Sequence, residues 1–96
     1  MYVIVTDSIK QHGVSLFLVD RSKTKSSWWE TKLSNNVLYM YNLRKALRIC
    51  SKLKHNNPRV VTVEEARKLS NKNESIRDVM TMFDDHPFNI NNSENS

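Results

Sequence analysis

The chain opens on a β-favouring run, Tyr2-Val3-Ile4-Val5-Thr6, in which β-branched and aromatic residues predict a strand. A second such run, Val-Ser-Leu-Phe-Leu-Val-Asp, extends from Val14 to Asp20. Between them Asp7 to Gly13 reads as a connection, and Gly13, the only glycine, supplies the backbone angles of its turn. The two runs are expected to pair as an antiparallel hairpin with a long loop. Arg21 to Ser27 has no apolar anchor and predicts a mobile, basic loop. Trp28 to Lys32 predicts a third strand. Side chains alternate along a strand, so one of Trp28 and Trp29 faces the core and the other faces away.

After the turn signal Asn35-Asn36, the spacing predicts the main helix over Leu38 to Lys54. At about 100° per residue, Leu43, Leu47, Cys50, Ala46 and Leu53 share an apolar arc with Ile49 at its edge. Arg44, Lys45, Arg48 and Lys52 occupy the opposite arc, which contains no acid. Asn56-Asn57-Pro58 ends the helix, because a residue before proline avoids helical angles. Arg59-Val60-Val61 reads as a short last strand. Thr62 and Glu65 fit a capping box that starts a short helix to about Leu69. Ser70 to Asn73 reads as a polar break, and Glu74 to Phe83 as one more short amphipathic helix. The Asn- and Ser-rich residues Asp84 to Ser96 read as a disordered polar tail.

These elements predict an α+β fold. A small antiparallel sheet of three to four strands packs on one main amphipathic helix, with short C-terminal helices. The 96 residues make one domain, placed at residues 1–83, with a tail at 84–96. No apolar run approaches the roughly 20 residues that cross a bilayer, so no membrane contact is expected. The first residues lack a basic stretch and a small-residue cleavage site, so no secretory leader is expected. A single cysteine, Cys50, cannot form an internal disulfide, which fits a reducing cytoplasm.

Charge changes this picture most. The net charge is +5, but Arg21 to Arg59 holds ten basic residues against the single acid Glu30. A field this uneven draws polyanions or an acidic protein face. Arg44, Arg48 and Lys52 are spaced i, i+4, i+8 and project as one ridge that phosphates can meet. Lys23, Lys25 and Lys32 bracket the tryptophan pair, and Trp29 is taken as the outward ring that stacks on an unpaired base. The candidate nucleic-acid site is therefore Lys23, Lys25, Trp29, Lys32, Arg44, Lys45, Arg48 and Lys52. The bland alternatives are an ordinary solvated helix face for the cations and, for the tryptophans, that both are core or that the second packs under a loop. A second candidate site is the stripe Ile76, Val79, Met80 and Phe83, which either closes the core or docks on a partner or on a second copy as a homodimer.

Signatures of enzymes and cofactors are missing. One glycine makes no phosphate-binding loop. Cys50, His12, His55 and His86 lack metal-ligand spacing, so neither a metal nor a cofactor is expected. Asp84-Asp85-His86 beside the tail is a weak acid–base or metal candidate, and Cys50 on the apolar helix face reads as a core residue. Neither the aromatic signature of an RNA-recognition sheet nor a GxxG loop is present, so binding is expected to follow shape and charge.

The order hairpin, Trp28-Trp29 strand, basic helix around Ala46, then Val60-Val61-Thr62-Val63-Glu64-Glu65-Ala66 resembles small accessory proteins of tailed phages. The resemblance covers about residues 2–69 and rests on short packing motifs. It implies a phage origin and a host-takeover or counter-defence role in the host cytoplasm, and carries over no catalytic residue. Two functions follow as expectations. The first is non-catalytic binding of RNA or a ribonucleoprotein, such as a host or defence particle. The second is inhibition of a host or defence protein by covering its acidic surface.

Overall fold

The computed structural model describes the backbone of residues 1–84 and the side chains of residues 1–76. Its elements are β1 (Tyr2–Asp7), β2 (Ser15–Leu18), β3 (Trp29–Glu30), α1 (Leu43–Ser51), β4 (Arg59–Thr62) and α2 (Val63–Asp84). The four strands form one antiparallel sheet in the order β3-β2-β1-β4. The chain is thus α+β, as expected.

Period-two alternation sends each strand's side chains to two opposite cores. Val3, Val5 and Phe17 face α2, where Ala66 is buried and Val61, Val63 and Leu69 pack around them. Ile4 and Leu18 face α1, where Ala46 is buried and Ile49, Cys50, Leu53 and Val60 pack. The sheet is therefore covered on both faces, not by one main helix. The first strand in the chain is central and nearly dry, because both neighbours and both helices lie against it.

The main helix begins at Leu43, not Leu38. Leu38 and Met40, assigned to its first turn, are taken by the sheet together with Val37 before them. Val37 bridges to Val19, and Met40 bridges to Tyr2. Leu38 donates its N–H to Leu18 O at 2.9 Å, and Met40 donates to Tyr2 O at 2.9 Å. Tyr2 already pairs with Thr62 on its other side. Residues 37–40 thus wedge between the diverging ends of β1 and β2, burying Val37 and Met40. Asn42 then starts the helix, its Oδ1 accepting from Arg44 N at 2.9 Å and Lys45 N at 3.3 Å. The helix is finished by Lys52 as its C-cap.

The expected pair of short C-terminal helices is one helix, α2. Thr62 caps it, Oγ1 accepting from Glu65 N at 3.2 Å, so β4 runs into α2 without a loop. The expected polar break is crossed by a buried amide. Asn73 is 5% exposed. Its Nδ2 donates to Ser15 O (2.7 Å) and Thr31 O (2.9 Å), and its Oδ1 accepts from Ser15 N (2.9 Å).

The same amide explains why β3 spans two residues rather than reaching Lys32. Phe17 pairs with Glu30, so in continuing register Ser15 would pair with Lys32. Asn73 takes both of those ladder positions on Ser15 instead. Gly13 holds φ +83° in the β1–β2 connection, as its turn requires. Among the described residues no helix is long and apolar enough to cross a membrane.

Candidate nucleic-acid interface

The outer face of α1 carries Arg44, Lys45, Arg48 and Lys52, all exposed. Among the described residues none of the four forms an ion pair. The ion pair present elsewhere joins Arg59 Nη1 to Asp7 Oδ1 at 3.1 Å, across β1 and β4. At 1.5 Å of rise per residue, Arg44 to Lys52 spans about 12 Å along the helix. Both Arg44 and Lys45 sit in the first turn, which has no acid. They lie at the positive end of the helix dipole, where cations are unfavourable.

The buried stripe of α1 is narrower than the apolar arc predicted. Ala46 is buried, and Ile49, Cys50 and Leu53 pack beside it. Leu43 (43% exposed) and Leu47 (51% exposed) lie on the outer side, beside the cations. The outer face is a cationic ridge with a two-leucine margin rather than a purely cationic surface.

The lysine-bearing loop is braced from its first residues. Asp20 accepts from Ser22 Oγ at 2.7 Å and Ser22 N at 3.0 Å, closing a tight turn. Its carboxyl is held below the ordinary carboxylate value, first by the Ser22 hydroxyl and then by the Ser22 N–H. The charges of Lys23 and Lys45 contribute in the same direction. Lys23 Nζ is tied to Asn35 O at 3.0 Å, while Lys25 and Lys32 are exposed.

The tryptophans divide as alternation requires, but in the opposite sense to the assignment of Trp29 as the outward ring. Trp29 is half-buried against the core of Ile4, Leu18, Met40 and Ala46. Its Nε1 donates to His55 Nε2 at 3.1 Å, with ring centroids 4.8 Å apart. Trp28 is the outward ring, 57% exposed, with the Arg21 guanidinium 4.3 Å from its centroid. Only the register of β3 on β2, Leu18 opposite Trp29, distinguishes the two.

Other candidates are placed apart. Cys50 is half-buried, and burial pushes its thiol up, which suits a core residue. His12 is exposed in the β1–β2 connection. Among the described residues no group of three or more His, Cys, Asp and Glu could hold a metal ion. Asp85 and His86 lie outside the described residues, as does the tail beyond Asp84, whose backbone ends α2 instead. Ile76, first of the C-terminal stripe, is half-buried with Cδ1 against Gly13. The side chains of Val79, Met80 and Phe83 lie outside the described residues, although their backbone continues α2. A cleft of about 450 Å³ lies near the α2 core, lined in part by Leu33, Tyr39, Val63 and Arg67. Arg67 is its one charged side chain, so the cleft is separate from the α1 ridge.

The chain matches no known protein family, no curated protein and no solved structure.

Proposed function

We propose that this chain is a non-catalytic binder of RNA or of a ribonucleoprotein, and that the outer face of α1 is its contact surface. The observation that carries the reading is the unpaired row Arg44, Lys45, Arg48 and Lys52. Two of these cations stand where the helix dipole opposes them, at about 0.3–1 kcal/mol each. A helix selected for stability alone would carry acids there. Local conflict of this kind is characteristic of functional surfaces. The exposed Lys25 and Lys32 and the loop at Asp20 extend the positive field beyond the helix.

The setting we propose is that of a tailed-phage accessory protein acting in the host cytoplasm on a host or defence ribonucleoprotein. Its support is the order of elements that carries the resemblance, from the hairpin to Ala66.

Binding of a mixed RNA pool tests the reading. Four phosphate contacts to single strands give a log–log salt slope of about −2.8, or roughly a 50-fold loss between 50 and 200 mM salt. The triple change Arg44→Glu, Arg48→Glu, Lys52→Glu is expected to abolish binding while leaving the fold intact. Binding that survives the triple change, or that shows no salt dependence, sinks the reading.

Leu43 and Leu47 favour a second reading, in which α1 covers an acidic protein surface that has an apolar centre. A protein partner kept after nuclease treatment, and lost with Leu43→Ser and Leu47→Ser, supports this inhibitor reading. A partner released by nuclease supports RNA.

A further inference from the structure

We propose that Trp28, backed by Arg21, is a stacking platform for an unpaired base, so that the RNA this chain engages is single-stranded. The inference rests on the RNA reading above and names the form of RNA that the surface takes.

Trp28 is a large ring left outside both cores. Its neighbour Trp29 fills the inward position, so packing does not require a second tryptophan here. The Arg21 guanidinium lies 4.3 Å from the Trp28 centroid. Arg21 is itself fixed, since Nη1 donates to Ser27 O at 2.7 Å across the loop. Further bonds hold the loop's shape: Asp20 to Ser22, Lys23 Nζ to Asn35 O, and Thr24 Oγ1 with Ser26 Oγ at 3.0 Å. The ring is thus placed before any ligand arrives, which reduces the ordering cost of binding.

A cation against one side of an indole and an open surface elsewhere suit a nucleobase. Every base has a π-face, so such stacking tolerates any sequence, and the cation adds to it. A base still paired within a duplex has both faces covered by its neighbours. A strand whose base stacks on Trp28 finds Arg21 and Lys25 on the same loop. The platform would therefore discriminate strand form, while the ridge would supply charge.

The test compares the parent, Trp28→Ala and Trp28→Tyr on two ligands, by fluorescence anisotropy. One is an oligouridine of about 12 nucleotides, within the usual range of single-strand sites. The other is a blunt-ended RNA duplex with no unpaired base. Trp28→Ala is expected to weaken oligouridine binding about 5–150-fold, to leave duplex binding and the salt slope unchanged, and to be rescued largely by Trp28→Tyr. Oligouridine binding equal to the parent's, or an equal loss on both ligands, overturns the inference and leaves the RNA reading standing. A parent that binds neither ligand overturns both. Unchanged thermal melting of Trp28→Ala shows that its effect is not one of folding.

Discussion

The buried amide of Asn73 allows the sharpest test of how the fold is held. Asn73→Ala removes three hydrogen bonds and leaves the N–H of Ser15, a residue only 5% exposed, without its acceptor. A buried group left unsatisfied costs about 1–3 kcal/mol, and each lost bond about 0.5–1.5 kcal/mol net. Against this, alanine is the better helix former by roughly half a kcal/mol. The expected net loss is about 2–4 kcal/mol. For a domain of this size that lowers Tm by about 8–32 °C, at about 4–8 °C per kcal/mol. Asn73→Asp keeps an acceptor but loses both donors, and turns a carboxylate toward the carbonyls of Ser15 and Thr31. It is expected to be at least as damaging near neutral pH. Urea and thermal unfolding followed by far-UV circular dichroism measure both variants. An Asn73→Ala protein within about 0.5 kcal/mol of the parent, the ordinary range for a surface change, would refute the claim that this amide completes the sheet.

The tryptophans are expected to separate in stability. Trp29→Ala loses a half-buried ring and its bond to His55, for about 2–3 kcal/mol, whereas Trp28→Ala stays within about 0.5 kcal/mol. Equal losses in urea titration would contradict the inward and outward assignment. Cys50 gives a pH dependence. Its thiol is pushed up by burial, so the folded state holds the proton more tightly than the unfolded chain does. That contribution is complete below the unfolded thiol's pKa and is lost as pH rises through the folded value. The parent should therefore lose stability relative to Cys50→Ala on the alkaline side, and a constant difference across that range would count against it.

Much of this architecture is legible in the chain. β1, β2 and β4 follow from short β-branched runs, and Thr62 with Glu65 marks the start of α2. The errors have a common cause, which is that tertiary pairing overrides local pattern. Val37 to Met40 carries side chains that suit a helix, yet the gap between β1 and β2 takes their backbone. Asn73 reads as a breaker on its own. In the stripe Ala66, Leu69, Asn73, Ile76 it stands at helical spacing, and that stripe was the available sign of one continuous helix.

The ridge cations were legible because charge needs no partner to be counted. The exposure of Leu43 and Leu47 was not, since it depends on how far α1 is rolled on the sheet. Nor does the sequence say which tryptophan faces out, because a shift of one residue in register reverses the answer.

The central place of β1 bears on how the chain is made. Its first partner, β2, follows at once, but β4 closes its other side only when Arg59–Thr62 has been synthesised. At about 5–20 residues per second that is a wait of roughly 3–10 s. During it Val3 and Val5 have neither their outer strand nor α2 to cover them, and Ile4 lacks its outer strand. The strand made first is thus the one that waits longest for its full set of neighbours. Chaperone capture of the nascent chain, or aggregation of products truncated before Arg59, would arise at this step.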